Sequence, residues 1–458
     1  MSDTPSPPST IAPVPLPEPL QPPVDPGLPN QPIPLIPGPV TALYGNKQFT
    51  GDVTFSLCWL PTPRVRFYVP GVPDGHRPGL GGISFVLSDG TRFDRNLITR
   101  VGPAAEPYSD RSTVSGVVNP PVIRPVDHKV SYVLFLFPNF EAPLGSGLQY
   151  ADGWQRAARL TLIAGGWTVT LDQLPDYKER VETLNAASGF AVTHAGRLER
   201  DDGQPFRASD ARPILDALGW YVSFCTGQWA GPCLPAGFEP SGARVWQGWD
   251  YQRTAPFRQR QSWLDRCHHE GFEGPFAGFL RLWQDDAWEQ VVRLAIHWYV
   301  EANAQAGSIE GAIVLTQTAF ELLASAVLVE NHAWLSTDGY EKLAAADRVR
   351  LLFRWAGIPT GIPAELEVLS AAAGAENWPD APTAMTAVRN TITHPTLKNR
   401  EKFGRHPGGA RAEVWSLGLW ALELCLLRLF GYRGMYGNRI TQRHTGEVEE
   451  VPWASGPI

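Results

Sequence analysis

Arg389 and His394 stand five residues apart in Arg389-Asn390-Thr391-Ile392-Thr393-His394, and no other pair in the chain is better suited to chemistry. A guanidinium forks onto a phosphate through parallel N–H donors, and an imidazole titrates near neutrality. The pair therefore suits cleavage of an RNA phosphodiester without a metal. Neutral His394 would take the 2′-hydroxyl proton, or its protonated form would give one to the leaving oxygen, with Arg389 on the phosphate. Along a regular α-helix the two side chains are separated by about 7.5 Å of rise and roughly 140° of rotation, so convergence needs the helix to fray or turn before Pro395. The alternative is a surface or capping arginine and a histidine on the last helix carbonyls.

The sequence around the pair predicts a helix with defined ends. Asp380 is a suitable N-cap, Pro382 is tolerated in the first turn, and Pro395 disfavours helical geometry at His394. His394 is thereby expected at or just beyond the C-terminus, where the helix dipole favours the imidazolium. Upstream, Gln317, Glu321 and Ser325 repeat every four residues on an otherwise apolar helix. This polar stripe either faces the site, with Glu321 orienting Arg389, or forms the solvent edge of its helix. Downstream, Lys398, Arg400, Lys402, Arg405 and Arg411 face only one acid, Glu401. That run is either a patch for RNA phosphates or a solvated basic loop.

The R-N-x-x-x-H run and its helical surroundings resemble the HEPN superfamily, in particular its ApeA-like branch, in which a β-rich region precedes the helical domain. The resemblance covers about residues 275–435. It implies an RNA-cleaving bundle, usually a homodimer with two Arg/His pairs facing across the interface, often acting as a toxin or in abortive defence against phage. Carried over by position, Arg389 and His394 would be catalytic and Asn390 a polar helper; the basic run read from the sequence adds Lys398, Arg400 and Lys402 as expected substrate contacts. No metal or cofactor is implied. Inactive relatives serve as interaction or nucleotide-binding modules, so a non-catalytic RNA-binding or protein-interaction role is the competing expectation.

The elements that must position these residues are helical from Pro275 onward. Apolar spacing predicts a helical region whose faces begin at Phe276–Trp283 and continue at Val291–Tyr299, then helices at Ile309–Val329, Lys342–Trp355, Ala364–Ala373 and Val414–Phe430, besides the motif helix. A bundle of five or six helices follows. Residues 41–206 instead carry short β-rich runs between Gly and Pro clusters, such as Val53–Trp59, Val65–Val69, Ile83–Leu87 and Val130–Phe137. Leu160–Ala164, Gly165-Gly166 and Trp167–Leu171 spell a hairpin with a two-residue turn, and Asp176–Ala187 reads as a helix between strands. Residues 207–270 form a mixed connection, with a helix at Ser209–Cys225 N-capped by Ser209 and a return to strand at Ala243–Tyr251. Trp246 and Trp249 in that strand are read as core residues, with base or sugar stacking as the alternative. The β-rich region is expected to sense or regulate through a ligand or partner of its own; a carbohydrate-binding or structural role for it is a third reading.

Residues 1–40 hold 15 of the 43 prolines and no basic residue, which predicts a disordered or polyproline II tail. The full expectation is an α+β multidomain chain: tail 1–40, antiparallel β sandwich or barrel-like domain 41–206, mixed connection 207–270, all-α HEPN-like bundle 275–440 and C-terminal tail 441–458. A net charge of −7 excludes a wholly basic nucleic-acid binder, so any RNA site must be local. Five scattered cysteines without C-x-x-C argue for a reducing compartment, and Cys267-His268-His269 reads as a loop or helix end rather than a metal site. No basic segment followed by an apolar run marks a secretory signal, and charges interrupt the longest apolar helices. The expectation is a soluble, cytoplasmic protein without membrane contact. Phosphate-loop, zinc-protease and serine-hydrolase motifs are absent, and Gly79-Leu80-Gly81-Gly82 reads as a turn.

Overall fold

The computed structural model describes residues 15–35, 39–44, 47–73, 82–88, 90–103, 111–119, 128–394, 396–405, 407–441 and 444–455. The start of the Pro-rich tail, most of the Gly79–Gly82 turn and Pro395 lie outside them.

Alternating apolar and polar residues build a first antiparallel sheet of eight strands: β1 (Ile33–Leu35), β2 (Val40–Tyr44), β3 (Lys47–Gly51), β4 (Thr54–Cys58), β5 (Arg64–Pro73), β6 (Gly82–Leu87), β7 (Arg92–Pro103) and β8 (Arg111–Val117). Their spatial order is β1-β4-β5-β8-β7-β6-β2-β3. β4 and β6 bury every second residue, the signature of a sheet with one packed face. A short ribbon pairs β9 (Lys129–Val130) with β15 (Phe206–Arg207).

A second sheet takes β10 (Tyr132–Pro138), β11 (Ser146–Gln149), β12 (Gln155–Ala164), β13 (Trp167–Gln173), β14 (Val192–Arg200), β16 (Cys233–Phe238) and β17 (Arg244–Gln247), in the order β11-β12-β13-β14-β10-β16-β17. The Gly165-Gly166 hairpin is present, with φ of 58° and 78° and Ala164 opposite Trp167. β10 reads as a nearly continuous apolar run because both of its faces are covered. Leu136 joins the core shared with the first sheet, while Val133, Phe135 and Phe137 join the core shared with the helices. Trp59 stacks on Phe190, and Phe55 packs on Trp249, across the two sheets.

The helices are α1 (Tyr177–Ala187), α2 (Ala211–Thr226), α3 (His269–Glu273), α4 (Phe276–Trp283), α5 (Glu289–Asn303), α6 (Ser308–Ser325), α7 (Thr337–Glu341), α8 (Ala345–Ala356), α9 (Glu367–Glu376), α10 (Ala381–Thr393), α11 (Leu397–Arg405) and α12 (Gly408–Leu429). α2 and α4 cover the second sheet, and the bundle continues from them in one uninterrupted core. α6 lies at the centre of the bundle, against α5, α8, α10 and α12, and ends in a π-helical turn at Ala326–Asn331. The stretch Ser308–Asn331 is long and apolar enough to cross a membrane, yet most of it is buried among those neighbours. The α+β order read from the sequence is the order found.

Several boundaries differ from the sequence reading. Within the tail, residues 15–35 run along the sheets: Leu20 N donates to Asp172, Gln149 N donates to Pro17 O, and Asn30 exchanges backbone and side-chain bonds with Phe190. Prolines leave carbonyls free to accept, so an extended strap can dock without helix or strand periodicity. Residues 207–250 belong to the second sheet and its covering helix rather than to a separate connection. Ser209 sits inside a 3₁₀ turn, and Asp210 precedes α2 instead. His268 precedes α3 and His269 begins it. Beyond residue 440, Glu449–Glu450 pairs with Met435–Tyr436, and Trp453 is buried with its indole N–H on Tyr432 O.

Glu423 explains why the C-terminus is packed. This carboxylate in the middle of α12 is fully buried and meets Arg439, whose Nε lies 2.9 Å away, and the Tyr299 hydroxyl at 2.6 Å. Arg439 also donates to Asn303 and to Gln261 O, and Asn303 donates to Gly227 O. Glu423→Ala leaves the Arg439 charge buried without its partner, so we expect a loss of about 3–5 kcal/mol in urea unfolding. A loss under about 1 kcal/mol would show that water reaches Arg439 in the variant.

Candidate active site

The motif helix is riveted at its start. Asp380 takes an extended conformation and accepts from Thr383 N at 3.0 Å, as an N-cap does, with Pro382 in the first turn. Arg350 of α8 reaches across to the same carboxylate, through Nε at 2.5 Å and Nη2 at 3.1 Å. Ala381, Ala384, Met385, Val388 and Thr391 then form the buried face, at the spacing of one side of a helix.

Arg389 stands beside that face and is mostly buried. Its Nη2 lies 3.5 Å from Glu321 of α6 and its Nη1 is 3.2 Å from Asn390 Oδ1, while its Nε is buried with no hydrogen-bond partner. Gln317, itself buried, donates to the same Glu321 oxygen at 3.3 Å. The polar stripe of α6 therefore faces Arg389, and only Ser325 lies apart, on Glu330. Asn390 thus accepts a hydrogen bond from the guanidinium of its neighbour.

His394 is exposed at the other end of the motif. The helix does not fray before it: His394 N still bonds Asn390 O at 3.1 Å, and the chain leaves helical geometry only at His394, with φ −115° and ψ 85°. Thr396 N and Asn399 Nδ2 close the turn on His394 O, and α11 begins at once. The helix therefore holds through Thr393, and the chain turns at His394 itself, before Pro395. No hydrogen bond joins them among the described residues.

The basic run is a helix rather than a loop. Lys398 and Arg400 are exposed on α11, whereas Lys402 is paired with Glu376 at 3.2 Å. Arg411 meets Glu310 at 3.3 Å and lies over the Phe403 ring; the side chain of Arg405 is outside the described residues. Of the proposed phosphate contacts, Lys402 is therefore already neutralised. Sequence reasoning missed Arg350, Glu376 and Glu310, because each acts on a residue of another helix at no fixed spacing.

Residues 285–450 match the family model of the YopA C-terminal domain. Residues 126–260 match that of the YopA central domain. The first span runs from just before α5 to the Glu449–Glu450 strand, and the second takes in the second sheet with α2; the first sheet lies outside both. The chain is 27% identical over 349 residues to the SPbeta prophage-derived uncharacterized protein YopA of Bacillus subtilis (strain 168), covering 75% of this chain and 77% of that one. No solved structure matches. Across these YopA-like spans, the Arg389 site falls wholly within the C-terminal one.

Burial would raise the Asp380 carboxyl, but the hydrogen bonds from Arg350 and Thr383 outweigh it and hold the group below the usual carboxylate range. A depressed folded-state pKa contributes stability above the unfolded value, about 3.9, and loses it as pH falls through the folded value. Asp380→Asn keeps a cap acceptor and removes the ion pair. Its stability deficit against the parent, measured by urea unfolding, should be full at neutral pH and shrink in acid below about pH 4; a deficit independent of pH would contradict this.

Proposed function

We propose that the chain is a metal-independent endoribonuclease of HEPN type, with Arg389 and His394 catalytic and Asn390 assisting. The observation that carries this reading is the R-N-x-x-x-H pair in a helical bundle, its arginine held by Glu321 and Asn390 and its histidine exposed at the helix end. The 2′-oxygen attacks phosphorus as its proton passes to neutral His394, and the bond to the 5′-oxygen breaks as that oxygen gains a proton from an acid. The products are a 2′,3′-cyclic phosphate and a 5′-hydroxyl. Arg389 supplies charge to the phosphoryl oxygens and Lys398 and Arg400 hold the flanking chain. The reading carries with it a homodimer, as the resemblance implies, in which two Arg/His pairs share an RNA strand. The setting it implies is cytoplasmic toxicity or abortive phage defence, and a prophage-derived relative is consistent with that.

A second reading has its own support. Glu321 on Arg389, Glu376 on Lys402 and Glu310 on Arg411 remove charge that a nuclease would aim at phosphate. They favour a bundle that binds RNA or a protein partner without chemistry. Incubating the purified chain with structured and single-stranded RNAs in EDTA separates the two. Catalysis predicts cyclic-phosphate ends and a fall of about 10²-fold or more in Arg389→Ala and His394→Ala. Cleavage equal in both variants, or RNA binding without cleavage that survives His394→Ala, would remove the nuclease assignment.

A further inference from the structure

Away from α10, a half-enclosed cavity of about 870 Å³ opens between α2, the strands β16 and β17 with the loop that follows, and α5. Its volume lies in the upper part of the range for small-molecule sites, about 300–1,000 Å³. Trp220, Trp229, Trp246 and Tyr251 contribute to a largely apolar wall. The floor is firmly built. Gln252 crosses Gly219 and Gly231 so closely that a Cβ at Gly219 would fall 1.9 Å from its amide oxygen, and its amide donates to Leu215 O.

Charge on the wall is already balanced. Arg293 is paired with Asp216 at 3.1 Å and Glu289 at 2.8 Å, Arg253 with Glu301 at 2.6 Å, and Arg212 with Asp250 at 3.5 Å. Arg253 lies over Trp229 and Arg293 over Trp220, which fixes both indoles. Four carboxylates thus answer three guanidiniums, and His297, beside Trp229, adds at most one positive charge. Among the described residues each arginine of this wall has a carboxylate partner, so a phosphate would have to compete with those carboxylates. Asp250 is the under-served acceptor: its contacts are the long one to Arg212 and one from Tyr251 N, and burial raises its carboxyl above the usual range. It would gain most from N–H donors on a ligand.

We propose that this cavity binds an uncharged purine nucleoside, with the base against the indoles and its N–H edge on Asp250. A flat heterocycle buries two apolar faces and keeps its donors at one edge, as aromatic-lined base sites require. A sugar ring of comparable size would strand several hydroxyls against the apolar wall.

Calorimetric titration of the full chain tests this with guanosine and adenosine, their 5′-monophosphates and maltose as probes. Saturable binding of at least one nucleoside is expected, with its monophosphate weaker by about tenfold or more at low salt. Ser209 is exposed at the cavity wall, so Ser209→Trp can plug the site without entering the core, and it should weaken the nucleoside by at least about tenfold with the melting temperature retained. Asp250→Asn should weaken it severalfold. No saturable nucleoside binding by the parent protein up to about 1 mM, tighter binding of a monophosphate or of maltose, or nucleoside binding untouched by a folded Ser209→Trp would each overturn the assignment.

Discussion

A carboxylate in the middle of an apolar helix must be neutralised or paired, and Glu423 is paired. Its partner Arg439 comes from beyond the end of α12, and the remaining donors of that arginine reach α5 and the segment before α3. Asn303 extends the network to the end of α2. One buried ion pair therefore ties the helix that covers the second sheet to the central helices and to the C-terminal segment. The apolar core runs through the same contacts, which is why sheet and bundle share one interior rather than meeting across a hinge.

That arrangement gives α5 two neighbours of different kinds. Tyr299 and Asn303 face the buried network, while Arg293 and His297 face the tryptophan-lined cavity. α5 also packs along α6, which presents Glu321 to Arg389. The guanidinium is oriented by the same contact that tempers its charge. Preorganisation favours forked recognition of an anion such as a phosphate, whereas the carboxylate beside it must be outcompeted by that anion. Between these opposing effects lies the difference between a nuclease and a binding bundle.

How much was legible in the sequence follows from how local each signal is. The Gly165-Gly166 turn, the capped start of α10 and the apolar spacing of the long helices are decided within a few residues, and each was found where the sequence placed it. The strap at 15–35 and the packed C-terminus were not legible. Their order comes from bonds to Asp172, Phe190 and Tyr432, residues far away in the chain. The basic run was read as one patch because sequence shows charge without partners; folding brought Glu376 and Glu310 to two of its members.

By itself, then, the sequence determined the order of β-rich and helical regions and the helix that carries Arg389 and His394, since periodicity, capping and turn chemistry act over short range. Only the tertiary structure decided what surrounds those residues. It turned the stripe of α6 toward Arg389, kept α10 helical up to His394, and closed four aromatic side chains around a cavity that no motif announces. Burial and pairing energies depend on which distant groups share a desolvated space, and that is a property of packing rather than of spacing.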